Sequence, residues 1–139
     1  MNNDEVLTEC PNDNLVQFIT DIEIGLDIQM VIAPKLCMTM VQAEDSVDFQ
    51  PFYLGEVLIT ECQVTVNGEL GYGYCMGDAP QRAYSIAIID ALLHMTQNPL
   101  QTEIHLFIDK EKAILTKSRI EEYNQILKTK VDFKIMEQD

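Results

Sequence analysis

The residues that decide the fold are 52–76, FYLGEVLITECQVTVNGELGYGYCM. Apolar residues alternate through 52–66 and again through 69–76, and Asn67-Gly68 separates the two runs. Asn-Gly favours a type I′ turn, because both central residues of that turn need a positive φ. The stretch therefore predicts an antiparallel β-hairpin. Gly55 within the first strand indicates a bulge or a close backbone approach.

The residues before the hairpin predict one helix and two strands. Leu15, Phe18, Ile19 and Ile22 recur at the spacing of one helical face, so a helix is expected from residue 12 or 13 to about 23. Alternating apolar residues predict strands over 26–33 and 36–43, with Pro34 interrupting them. An acidic loop over 44–50, closed by Pro51, leads into the hairpin.

The residues after the hairpin predict a long helix and several short elements. Pro80 suits the first turn of a helix that runs to about residue 97, is apolar nearly all round and is buried. Beyond it we expect a strand over 103–108, short helices over 110–115 and 119–127, and a strand over 131–136. The order predicts a single α+β domain over 1–139, with a mostly antiparallel sheet and short C-terminal helices.

The charge is large and uneven. The 139 residues carry a formal net charge of −14, with 13 acidic residues and one basic residue, Lys35, in positions 1–70. With 47% hydrophobic residues the chain has enough apolar content to fold. The charge argues against nucleic acid or an anionic membrane as a partner. Two interpretations stay open: acidic side chains that keep the protein in solution, or an acidic face that docks on a basic partner.

The compartment and the cysteines follow from simple patterns. The first residues have neither a basic region nor an apolar run, so no signal peptide is expected and the predicted location is the cytoplasm. Cys10, Cys37, Cys62 and Cys75 form no C-x-x-C pair and match no common zinc spacing. We therefore expect free thiols and no metal site.

Five residues are candidates for a functional role. Gly77 and Arg82 flank the start of the long helix and could hold an anion, although a plain turn explains them as well. Cys75 and His94 could be imagined as a nucleophile and a base, but no third group orients them. Asp90 lies among apolar residues of the helix, where a carboxylate needs a partner. The expectation is a hydrogen bond to neighbouring backbone, then a contact with another subunit, and catalysis third.

Several short stretches together resemble one protein family. They are LGEVLITEC at 54–62, GELGYGY at 68–74, Gly77, AIIDAL at 87–92, VDF at 131–133, and Val6-Leu7 followed by Pro11 and Leu15. In this order and spacing they resemble the PhnG family, whose members are a subunit of the bacterial carbon–phosphorus lyase core complex. The resemblance covers nearly the whole chain. The chain departs from the family at 77–84, GDAPQRAY, where the family usually carries a Gly-Arg-Asp-Lys loop.

The resemblance implies a non-catalytic structural subunit. The partners it implies are PhnI first, with PhnH and PhnJ, in a complex that forms ribose 1-phosphonate 5-triphosphate from ATP and a phosphonate. MgATP, S-adenosylmethionine and an iron–sulfur cluster would then serve other subunits, and this chain would bind no cofactor. Tyr72, Tyr74 and Asp90 are the expected interface residues, because aromatic side chains are favoured in interface cores.

Two other classes of function remain open at this stage. One is a self-associating binding module without a role in phosphonate metabolism, which would form a homodimer when isolated. The other is a small enzyme that uses Cys75 or His94.

Overall fold

A computed structural model describes residues 2–44, 47, 50–96 and 98–137 of the chain. The contacts divide the chain into two compact units. One comprises Pro11–Ile104, and the other comprises Met1–Cys10 together with His105–Asp139. The α+β fold class is confirmed, with a three-stranded antiparallel sheet and helices placed before and after it.

The first unit opens with helix α2, Asn12–Ile22, where the spacing of apolar residues predicted a helix. Leu15, Ile19 and Ile22 are its buried residues, and they recur at helical spacing on one face. The helix ends at Glu23, and Gly25 follows with a φ of +88°. The prediction for this helix is confirmed.

The sheet has the strand order β1-β2-β3, with β1 at Ile28–Glu44, β2 at Pro51–Val66 and β3 at Glu69–Met76. The predicted hairpin joins β2 and β3: Asn67 and Gly68 have φ values of +50° and +88°, as a type I′ turn requires. Most of the acidic loop between β1 and β2 falls outside the described residues.

The expected break at Pro34 is wrong, since β1 runs through it as one strand. The register with β2 shifts between Ile32 and Lys35, so the proline sits at an irregularity of an edge strand, where its missing N–H costs no ladder hydrogen bond. The last of the three shifts in this register, between Val41 and Gln42, lies opposite Gly55, which has a φ of +148°. The bulge predicted at this glycine is therefore confirmed.

Helix α3, Pro80–His94, packs on β3 and β2, and α2 packs on α3. Eight of its residues are buried, as the nearly all-round apolar pattern predicted: Ala83, Ser85, Ile86, Ala87, Ile88, Ile89, Ala91 and Leu92. The helix ends three residues earlier than expected. The side chain of Asn98 donates a hydrogen bond of 3.0 Å to the Leu92 carbonyl, which satisfies a group at the helix end.

The glycines of β3 permit a close approach of α3. A Cβ added at Gly73 would overlap the Ala83 carbonyl oxygen and lie 2.8 Å from the Ala87 nitrogen. A Cβ added at Gly71 would overlap the Ala87 carbonyl oxygen. The two glycines therefore provide the space in which the backbones of the strand and the helix meet.

The second unit contains two helices of very different length. Helix α1, Asn3–Glu9, is capped by the Asn2 side chain, which accepts a hydrogen bond of 2.8 Å from the Glu5 N–H. Helix α4, Gln101–Glu137, begins within the first unit and continues through the second. The Arg119 guanidinium pairs with the Glu9 carboxylate. These helices account for all of the described secondary structure of this unit.

Helix α4 takes the place of the four short elements predicted for the C-terminal region. The strands predicted at 103–108 and 131–136 are wrong, because both lie within this helix. Helix is confirmed at 110–115 and 119–127, but as parts of one helix and not as two short ones. Ile104, Ile108 and Glu111 are 0%, 1% and 2% exposed and follow an i, i+4, i+7 spacing. Leu106, which belongs to the alternation that suggested a strand, is 64% exposed. Burial thus follows a helical face rather than a strand face.

Candidate functional site

The turn before α3 is held by a buried threonine of β2. The Thr60 hydroxyl donates a hydrogen bond of 2.6 Å to the Gly77 carbonyl and accepts one of 3.0 Å from the Ala79 N–H. The Gly77 N–H in turn donates to the Leu58 carbonyl at 2.8 Å. Thr60 was not singled out from the sequence, although a threonine on the same strand face as Cys62, Val64 and Val66 was the available signal. These bonds fix where α3 begins relative to β2.

The candidate anion site lies at a cleft of about 490 Å³ beside this turn. The cleft is lined by Asn12, Asp78, Ala79, Pro80, Gln81 and Arg82. The backbone N–H groups of Gly77 and Ala79 already donate within the protein, Pro80 has none, and Asp78 adds a negative charge. Gly77, Ala79 and Pro80 therefore offer no free backbone N–H to an anion. An anion or partner contact at Gly77 and Arg82 stays a prediction.

Cys75 lies on the face of β3 that packs against α3. Its thiol is buried and lies 3.4 Å from the Ala79 carbonyl oxygen. Burial raises the pKa of the Cys75 thiol, while the charge of Arg82 and a backbone hydrogen bond from Ala83 act in the opposite direction. A thiol that stays protonated at neutral pH is a weak nucleophile.

His94 lies at the opposite end of α3 from Cys75. Its ring Nδ1 lies 2.7 Å from the Asp90 carbonyl oxygen, and its side chain is 62% exposed. Cys75 contacts Ala79, at the first turn, so the length of the 15-residue helix separates the two side chains by roughly 20 Å at 1.5 Å per residue. The two residues therefore do not form a nucleophile–base pair.

Asp90 joins α3 to the outer strand of the sheet. Its Oδ2 accepts a hydrogen bond of 2.9 Å from the Tyr72 N–H, and its Oδ1 lies 3.5 Å from His94 Nδ1. The predicted hydrogen bond to neighbouring backbone is confirmed. The Tyr72 N–H points outward from edge strand β3, where no further strand accepts its hydrogen bond, and the Asp90 carboxylate does so instead. The expected burial was overstated, since the side chain is 32% exposed.

Tyr72 and Tyr74 lie on the face of the sheet opposite α3, which we call the open face. They are 43% and 48% exposed, and they stand across from Gln63 and Glu61 of β2. Leu70 and Met76 continue the same row and are 38% and 75% exposed. The structure thus places the two tyrosines side by side on an exposed and largely apolar strand face. Their contact with a partner stays a prediction.

The described residues hold no group of three His, Cys, Asp or Glu side chains arranged to bind a metal ion. Cys37, Cys62 and Cys75 are free thiols, as expected. Within the part of the chain that the structure describes, no helix is both long and apolar enough to cross a bilayer.

Comparison with known proteins assigns the family. The family model described as phosphonate metabolism protein PhnG matches residues 2–138, which is nearly the whole chain. A search of curated proteins found no match. The match extends over both structural units, and it includes the hairpin, α3 and the long C-terminal helix that carry the features described above. The chain belongs to the PhnG family of phosphonate metabolism proteins.

Proposed function

We propose that this chain is a non-catalytic structural subunit of the carbon–phosphorus lyase core complex. The observation that carries the proposal is the family match over residues 2–138. The side-chain geometry supports it, because the candidate nucleophile Cys75 is buried and far from His94. The family match and the separation of Cys75 from His94 both fit a subunit that provides binding surfaces and does not itself catalyse a reaction.

The complex would act in the cytoplasm on a phosphonate and ATP, forming ribose 1-phosphonate 5-triphosphate. In this proposal MgATP, S-adenosylmethionine and the iron–sulfur cluster are bound by other subunits. The contribution of this chain is to hold those subunits in a productive assembly with PhnI, PhnH and PhnJ.

The open face of the sheet is the proposed contact with PhnI. Tyr72 and Tyr74 supply rigid aromatic area that is already displayed on a strand, so little conformational entropy is lost when a partner covers it. Asp90 fixes the backbone of Tyr72 through its 2.9 Å hydrogen bond and remains one-third exposed itself. Asp90 therefore holds in place the strand that displays both tyrosines.

Co-expression with PhnI tests this proposal. The wild-type chain should elute with PhnI in gel filtration at micromolar concentration, and a reconstituted complex that lacks the chain should lose phosphonate-dependent adenine release. Replacing both Tyr72 and Tyr74 with Ala should weaken the complex about tenfold or more, as expected for aromatic anchors. Tyr123→Ala, which removes another exposed tyrosine, is the matched control and should leave the affinity unchanged. Separate elution of the wild-type chain and PhnI would refute the proposal.

A self-associating module without a phosphonate role is the second candidate. The exposed row on β3 favours it, because a second copy could cover the same face. Light scattering of the isolated chain distinguishes the two: a discrete homodimer that ignores PhnI supports the module, whereas a chain that binds PhnI in preference to itself supports the subunit.

A further inference from the structure

Strand β2 continues beyond the end of β3 and forms a two-stranded extension with β1. The last pair between β2 and β3 is Ile59 with Met76, whereas β1 and β2 remain paired as far as Glu44 and Pro51. We call residues 38–44 and 51–58 the ribbon. A two-stranded hairpin without a third strand or a helix on its face is marginally stable in water. The ribbon is therefore the part of the sheet that most needs an additional contact.

Three exposed apolar side chains, Met38, Met40 and Leu58, lie on one face of the ribbon. Met38 pairs with Leu58, so both point to the same side, and Met40 follows on that side. Their exposed fractions are 61%, 41% and 56%. The same side of β2 is fully covered by α3 from Thr60 onward, but α3 starts where Thr60 binds Ala79 and does not extend over the ribbon.

The charge around this apolar face selects the kind of partner. Residues 28–66 contain five acidic residues and one basic residue, and Glu56 lies on the apolar side opposite Met40. An anionic membrane surface would repel this rim, and two ribbons brought together would repel each other. A protein surface with lysine or arginine around an apolar groove would attract it. Methionine suits such a contact because its flexible side chain adapts to an irregular groove.

We propose that the ribbon binds in an apolar groove with a basic rim on a partner protein, and that the side chains of Met38, Met40 and Leu58 make the contact. This inference rests on the proposed function and deepens it, since it assigns a second docking surface, distinct from the tyrosine row on the open face. The outer edge of β2 at the ribbon has no strand partner among the described residues, so a partner strand could also pair there.

The test uses the full-length chain with PhnI as the probe. The double variant Met38→Gln, Met40→Gln keeps side-chain length but places amides in the groove, and its affinity should fall about tenfold or more. Ile24→Gln replaces another exposed apolar side chain, outside the ribbon and the open face, and should stay within about twofold of wild type. The unfolding midpoint of each variant should match wild type, because the replaced side chains are exposed.

A second measurement does not depend on the variants. Hydrogen exchange of the wild-type complex should show protection of ribbon amides on binding, and the association rate should fall as salt rises from about 0.05 to about 0.5 M. The inference is overturned if wild-type complex forms without ribbon protection, or if the methionine variant binds as tightly as wild type. Binding of a second copy of the chain, or of phosphatidylserine vesicles, to the ribbon in place of PhnI would also overturn the inference. Failure of the wild-type chain to bind PhnI overturns the proposed function as well, so the two failures are distinguishable.

Discussion

The two halves of strand β2 have similar apolar patterns but different surroundings. In the half that pairs with β3, Cys62 and Val64 are fully buried beneath α3. In the half that forms the ribbon, Leu58 points to the same side of the sheet and is 41% exposed. The difference arises because α3 starts at Pro80, held by Thr60, and leaves the ribbon uncovered. An apolar strand face thus indicates a packing partner, but the strand pattern does not show whether that partner belongs to the same chain or to another.

The largest expected effect is at the contact between β3 and α3. Gly73→Ala should lower the free energy of unfolding by about 3 kcal/mol or more, because the new Cβ would overlap the Ala83 carbonyl oxygen and force strand and helix apart. Urea denaturation measures the change. Gly25→Ala is the control, since its Cβ meets no atom within 4 Å and only the positive φ is penalised, at about 1 kcal/mol. Equal losses at the two positions would contradict the close packing.

The next effect compares the two halves of β2 directly. Val64→Ala should cost about 2 kcal/mol of unfolding free energy, because it leaves a cavity under α3. Leu58→Ala in the isolated chain should cost less than about 1 kcal/mol, although it removes more atoms, because the leucine is already partly in water. A larger loss at Leu58 than at Val64 would show that the ribbon is covered within the isolated chain.

A smaller effect is expected for the bond between α3 and the outer strand. Asp90→Ala should lower the free energy of unfolding by about 1 kcal/mol, because it removes the acceptor of the Tyr72 N–H. Asp90→Asn keeps an acceptor oxygen and should retain part of that stability. Faster hydrogen exchange at the Tyr72 amide in the Ala variant would locate the change, and an unaltered exchange rate there would argue against this role.

The smallest effect concerns the cysteines of the covered face. Burial raises the pKa of the Cys62 and Cys75 thiols above the ordinary value. The folded state therefore favours the protonated thiols, and their contribution to the free energy of unfolding is complete below about pH 8. It declines as the pH rises through the ordinary thiol pKa of about 8.5 toward the raised value, because the unfolded chain then loses the thiol protons more readily. Urea denaturation at increasing alkaline pH measures the decline. In labelling with iodoacetamide, the half-buried Cys37 should react first, and faster reaction of Cys75 would contradict its burial.

Some elements were predictable because their signals are local. Asn67-Gly68 predicts its hairpin from the backbone preferences of two residues, and the α2 face is defined by apolar spacing within about three turns. The candidate site was predictable in part: a backbone partner for Asp90 was expected from its apolar surroundings, and the N–H of Tyr72 provides it. The role of Thr60 was not, because its partners Gly77 and Ala79 are distant in sequence and meet it only in the fold.

The C-terminal region shows why the remaining predictions were wrong. The alternation at 103–108 fits a strand, but Ile104 and Ile108 also fit one helical face, and a short apolar run does not distinguish the two. The signal that favoured a helix was longer in range: neither glycine nor proline occurs after Pro99. Because glycine and proline are the residues that most often end a helix, a long stretch without them favours one continuous helix. Helix α4 is that helix.

The sequence by itself determined the hairpin, the helices α2 and α3 and the uneven charge, because each depends on neighbouring residues or on composition. Only the tertiary structure decided which half of β2 is covered, which side chain holds the turn before α3 and what Asp90 binds. Those outcomes depend on contacts between segments far apart in the chain. Side-chain periodicity records which face of a strand is apolar, but the position of the packing partner is set by the whole fold.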